Sequence, residues 1–249
     1  MTTPEDPTPT EATPAPRREG LFGAGPAILW FEAWPVMVIL ALIWIVFLAQ
    51  SAFELLGDGE TIFVLGGLWK PGVFQGLWWT PLTHMFMHMS WGQPWGWLHI
   101  VFNSGALVAL GPAIAQRFGR DALGGALFFA FYLACGLAGA GAFILLGADR
   151  LLVVGASGAI FGLWGAVARL GAPGEAKLAP IFAPSVLRQV GSALISNLVV
   201  LGGAAGYGAL SGSGAGVAWQ AHLGGFVLGF LLIPILPVRF HWLKGARTA

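Results

Sequence analysis

The chain has 249 residues, 57% of them hydrophobic and only 9% charged, where an ordinary soluble domain carries about 25% charged residues. A net charge of +1 with no basic run leaves no electrostatic footprint for nucleic acid, and a single cysteine, Cys135, excludes an internal disulfide. Twelve Trp and 18 Phe against 2 Tyr suit a chain that faces lipid.

Residues 1–27 read as a disordered tail, rich in Pro, Thr and Glu early on, with Arg17 and Arg18 and no apolar h-region of a signal peptide. Residues 28–240 read as one membrane domain, and 241–249 as a short C-terminal tail. Within the domain six apolar segments approach the roughly 20 helical residues that a bilayer requires. They are roughly Trp34–Leu56, Leu98–Arg117 with Pro112 kinking its end, Ala122–Leu146, Leu151–Leu170, Val190–Leu210, and Ala215–Leu236 with Pro234 and Pro237 as stops. Cys135 falls in the middle of the third as a small core residue. The expectation is an all-α membrane protein, a bundle of six transmembrane helices.

Basic residues orient it. With the N-terminus inside, the inner side receives Arg17, Arg18, Arg117, Arg120, Arg169, Lys177, Arg188, Arg239, Lys244 and Arg247, and the outer side only Lys70 and Arg150. That asymmetry predicts both termini in the cytoplasm. The link between the first two segments, about Gly57 to Trp97, is too long for a helix–helix turn and too aromatic for a solvated loop. Trp69, Trp78, Trp79, Trp91, Trp95 and Trp97 suit an element lying in the outer interface.

Two polar residues lie in this apolar frame. Gly155-Ala156-Ser157-Gly158 sits in the fourth segment and Ala221-His222 in the sixth. An ionisable residue in a membrane helix is a functional hypothesis by default. Counted from the expected helix starts at 1.5 Å per residue, Ser157 and His222 both lie roughly 10 Å below the outer surface. His99 and Asn103, four apart on one face of the second segment, reach the same layer. A serine and a histidine at one depth suggest a nucleophile and its base, with His99, Asn103 and the Ser157 backbone N–H as oxyanion donors. Gly158 and Gly162 on one helix and Gly225 and Gly229 on the other supply the close approach. None of the 11 acids lies within a turn or two of Ser157 or His222 in sequence or depth, so a Ser–His dyad is expected rather than a triad.

In these residues the chain resembles the rhomboid intramembrane serine proteases, over about residues 30–236. Gly155-Ala156-Ser157-Gly158, Ala221-His222 with Gly225 and Gly229, the His99–Asn103 pair, and His84 and His88 ahead of it carry the resemblance. It implies a six-helix core with a long membrane-associated first loop, catalytic Ser157 and His222, oxyanion residues His99 and Asn103, and cleavage of transmembrane-helix proteins in a bacterial inner membrane. Departures from the family pattern are Trp78-Trp79 in place of a Trp-Arg pair, Ala115 or Gln116 in place of a Glu, Phe161 in place of a Tyr that stacks on the histidine, and the insertion Gly92-Gln93-Pro94-Trp95-Gly96. No cofactor and no metal are expected: there is no HExxH, and His84 and His88 are read as hydrogen-bonded within the loop. Two alternatives are a catalytically silent relative that binds membrane proteins, and a small transporter; the latter lacks visible inverted repeats or midplane charges.

Overall fold

The computed structural model describes residues 33–239, apart from residue 94, 172–176 and 212–216, and the side chains of 207–211 are not described. The expected tails 1–27 and 241–249 lie outside the described residues. The described chain is predominantly helical.

Helix α1, Trp34–Leu55, starts with Pro35 in its first turn, where a missing N–H costs nothing. Short pieces follow: α2 (Gly59–Gly66), strand β1 (Leu68–Trp69), α3 (Lys70–Phe74) and α4 (Thr80–Thr83). Helix α5, Gly96–Phe118, continues through Pro112 and stops at Gly119, whose φ of 102° ends the helix. The Asp121 carboxylate caps α6, Ala122–Leu146, by accepting from Gly124 N–H at 2.9 Å. Strand β2 (Leu152–Val153), α7 (Ser157–Arg169), α8 (Pro184–Ser211) and α9 (Trp219–Leu232) complete the order, with a 3₁₀ turn at Ile233–Ile235.

Four of these helices are long and apolar enough to cross a membrane: α1, α5, α6 and the Pro184–Gly206 part of α8. The other two expected spans are shorter, and the fourth differs in kind. Residues before Ser157 are not helical, because Leu152 and Val153 pair antiparallel with Trp69 and Leu68. Gly155 then takes φ 129°, a conformation a side chain would strain. The chain is thus not purely α, and Ser157 is the first residue of its helix rather than about the seventh. His222 is the fourth residue of α9, so the depth count from expected helix starts does not hold as made. Helix α8 begins at Pro184, six residues earlier than expected.

The core gathers Ile39, Ile43, Leu107, Phe118, Phe128, Phe131, Tyr132 and Leu163 from α1, α5, α6 and α7. Cys135 is fully buried there, as expected of a small core residue. Helices α7 and α9 make the most extensive pairing. Helix α8 is held least: 11% of its apolar window is buried, against 28–39% for the other three long helices. The aromatic segment after α1 docks through backbone acceptors: Trp69 Nε1–H donates to Asp149 O at 2.8 Å and Trp79 Nε1–H to Leu65 O at 2.8 Å. Lys70 Nζ meets the Asp149 carboxylate at 3.0 Å. At the opposite end of the chain Arg239 makes a two-pronged pair with Asp121 at 2.8 and 2.9 Å, tying the end of the described chain to the α5–α6 turn.

Candidate active site

The site begins with backbone geometry. Gly155 N–H donates to His84 O at 2.9 Å, so the turn before α7 is held by the segment that also carries His88. Because α7 starts at Ser157, the first N–H groups of that helix have no intrahelical acceptor, and its positive dipole end faces the serine. Helix α9 runs against α7 with almost no side chain between them. A methyl group built on Gly225 would sit 1.9 Å from Gly158 O, and one on Gly229 1.9 Å from Gly162 O. The glycines expected to permit close approach are where the two backbones touch.

That approach brings Ser157 Oγ to 2.7 Å from His222 Nε2. Ser157 is half-buried, whereas His222 is 6% exposed. Phe161, one turn past the serine, lies flat on the imidazole: centroids 4.3 Å apart, planes within 2°. A phenyl ring therefore supplies the stacking without a hydroxyl.

The other imidazole nitrogen has a partner that the acid census could not find. His222 Nδ1 lies 2.9 Å from Asn197 Oδ1 on α8, and Asn197 Nδ2–H donates to Trp219 O at 3.3 Å. The third group is a neutral amide, not a carboxylate. The available signal was a lone amide beside one serine in an otherwise apolar run of α8, Leu194-Ile195-Ser196-Asn197-Leu198-Val199. Three of the described carboxylates are used elsewhere: Asp121 and Asp149 in the pairs above, and Glu54 as acceptor from Ser90 Oγ.

His99 stands beside the turn. Met89 N–H donates to its Nδ1 at 3.3 Å; a backbone N–H can only donate, so the ring proton sits on Nε2. That Nε2–H edge faces residue 155, where an added Cβ would come within 2.8 Å of it. Asn103, 5% exposed, donates one amide N–H to His99 O at 3.0 Å and keeps a second. His84 Nδ1 bonds Thr80 O at 3.0 Å, within the segment, as expected. His88 differs: Gln50 grips its backbone at 2.6 and 3.0 Å, but neither ring nitrogen has a partner among the described residues, and the ring packs on His99 at 5.2 Å. Burial lowers His84 to about 4 and His88 to about 3, the latter helped by His99, so both rings are neutral near pH 7.

A family model described as the rhomboid domain matches residues 75–239. "Rhomboid protease GluP" of Bacillus subtilis (strain 168) is 28% identical over 172 residues, which is 69% of this chain but 28% of that protein. "Putative rhomboid protease YdcA" of the same organism is 28% identical over 204 residues, 80% of this chain and 86% of that protein. The chain thus spans under a third of the first relative and most of the second. The matched stretch runs from before α5 to beyond α9 and takes in both sides of the Ser157–His222 contact: this integral, multi-pass membrane protein belongs to the rhomboid family.

Proposed function

We propose that this chain is an intramembrane serine endopeptidase that cuts transmembrane segments near their outer ends with Ser157 as nucleophile and His222 as base. The observation that carries the reading is the 2.7 Å approach of Ser157 Oγ to a buried imidazole. Oγ attacks the scissile carbonyl and its proton passes to Nε2. The tetrahedral intermediate collapses, and the leaving amine takes that proton. Water, deprotonated by His222, then releases the acyl group and restores Ser157. The α7 N–H groups, His99 Nε2–H and the remaining Asn103 N–H are the oxyanion donors. A fluorophosphonate should label the wild type in detergent and leave Ser157→Ala unlabelled; equal labelling of both would remove the assignment.

The oxyanion role has its own test. Asn103→Ala is expected to lower kcat by about 10² with little change in KM, because one donor is lost while the helix N–H groups remain. An unchanged kcat would return Asn103 to helix packing.

We read α7 and α9 as spans alongside the four longer helices, making six, with the segment between α1 and α5 lying in the outer interface. The domain is taken as 28–240, with cytoplasmic tails 1–27 and 241–249 at an inner membrane, following the positive-inside asymmetry. The shortness of α7 suits this. Its 13 residues span about 20 Å of a roughly 30 Å hydrocarbon layer. With Arg169 at the inner face, Ser157 falls about 10 Å below the outer one by the same arithmetic. Irregular backbone at that depth must be covered by protein or water, as the turn through Gly155 is.

Substrate then has to reach a sunken serine. Helix α8 is the thinly held wall, and a cavity of about 140 Å³ lies where α8 meets α7 and α9 beside His222. Entry beside α8 favours segments that unwind readily. Replacing Gly or Ala near the outer end of a substrate helix by Leu, away from the cut, should slow hydrolysis several-fold. Equal rates for both substrates would remove unwinding from the mechanism.

A further inference from the structure

The amide on α8 does more than fill space. Trp219 O is a pure acceptor, so the Asn197 atom facing it at 3.3 Å must be the NH₂. The atom 2.9 Å from His222 Nδ1 is then the carbonyl oxygen, which can only accept. Nδ1 must therefore carry the imidazole proton, which leaves Nε2 bare toward Ser157 Oγ. A backbone carbonyl of α9 thus fixes the amide, and the amide fixes the tautomer. We infer that Asn197 is a positioning residue that holds the His222 ring with Nε2 free to take the serine proton, making the working unit Ser157–His222–Asn197.

This rests on the Ser157–His222 reading above and adds a third member drawn from a different helix. The chemistry has a counterpart in the Cys–His–Asn units of papain-like proteases, where an amide stands in the place of the triad carboxylate. The placement here has a consequence of its own. Asn197 rides on the long helix with the smallest buried share, and among that helix's described apolar side chains only Val186 and Ala193 are buried. A displacement of α8 that admits a substrate would also remove the acceptor from Nδ1, so the imidazole is set only when α8 is back in place.

The test separates the two hydrogen bonds that Asn197 makes. Asn197→Ala removes both; Asn197→Asp keeps the oxygen acceptor toward Nδ1 and loses the donor toward Trp219 O. Asn197 is half-buried, so the carboxylate retains access to water. Three readouts are taken on detergent-purified full chain: kcat and KM on a transmembrane substrate, the thermal unfolding midpoint, and the imidazole ¹⁵N spectrum of His222. Asn197→Ala is expected to lose about 10–10² in kcat, by analogy with the cost of removing the outer hydrogen-bond partner of a metal-bound histidine, with KM and the midpoint little changed. Asn197→Asp should recover most of that loss. In the spectrum, the wild type should carry its proton on Nδ1, and Asn197→Ala should populate both tautomers. If Asp and Ala are equally impaired, the Trp219 bond matters and Asn197 is merely a strut between α8 and α9. An unchanged tautomer in Asn197→Ala would overturn the inference directly. If Ser157→Ala still reacts with a fluorophosphonate, the nucleophile assignment fails, and the tautomer readout still decides the role of Asn197.

Discussion

Ser157→Ala, His222→Ala and the double variant are expected to lose cleavage of a transmembrane substrate to one common floor. The two side chains act through a single proton transfer at 2.7 Å, so removing either removes the step. In serine proteases of this logic, losing the nucleophile or the histidine alone costs about as much as losing the whole unit, on the order of 10⁶ in kcat. The double variant should therefore be no worse than either single one. Folding should survive all three changes. Ser157 is half-buried at a helix start, and the α7–α9 contact is made by backbone, so the two helices stay paired without either side chain, the loss of the His222 stacking on Phe161 being local. Rates measured on a purified substrate, with thermal unfolding alongside, check this. Multiplicative losses in the double variant would mean that the two residues work independently and that the shared proton transfer is wrong.

Gly225→Ala is expected to abolish activity although it touches neither reacting atom. Its methyl group would lie 1.9 Å from Gly158 O and 3.3 Å from Cys135 O. Backbone cannot rotate out of the way as a flexible side chain does, so α9 has to move away from α7 by an ångström or more. Misplacement of reacting groups by about 1 Å can cost on the order of 10²-fold in rate, and a larger shift takes Ser157 and His222 out of hydrogen-bond range altogether. Overpacking of this kind also destabilises by about 1–3 kcal/mol, which should appear as a lower unfolding midpoint. Gly202→Ala on α8 is the control, since its added methyl group meets nothing within 4 Å. It should leave rate and midpoint near wild type. Full activity in Gly225→Ala would mean that the backbone contact is not what brings the two helices together.

Much of this protein was legible in the one-dimensional pattern. A chain with 9% charge has to satisfy its backbone in helices or a closed barrel if it meets lipid, and α1 and α6 appear within a residue of the expected limits because continuous apolar sequence sets their lengths and local signals, Pro35 and Asp121, set their starts. Ser157, His222, Gly225 and Gly229 stood out for the same reason: polar or side-chain-free positions in an apolar run are costly unless they make a contact. The tertiary structure alone decided three things. The start of α7 depends on β1 pairing with β2 from more than 80 residues away and on a glycine at φ 129°, and neither is encoded in local hydropathy. The proton positions on His99 and His222 follow from Met89 N–H and Trp219 O, backbone groups whose direction no sequence pattern carries. Asn197, 25 residues from the histidine it meets, carries no charge that would mark it as a partner in the sequence. Inside a membrane a neutral amide can orient an imidazole without the desolvation cost of a carboxylate.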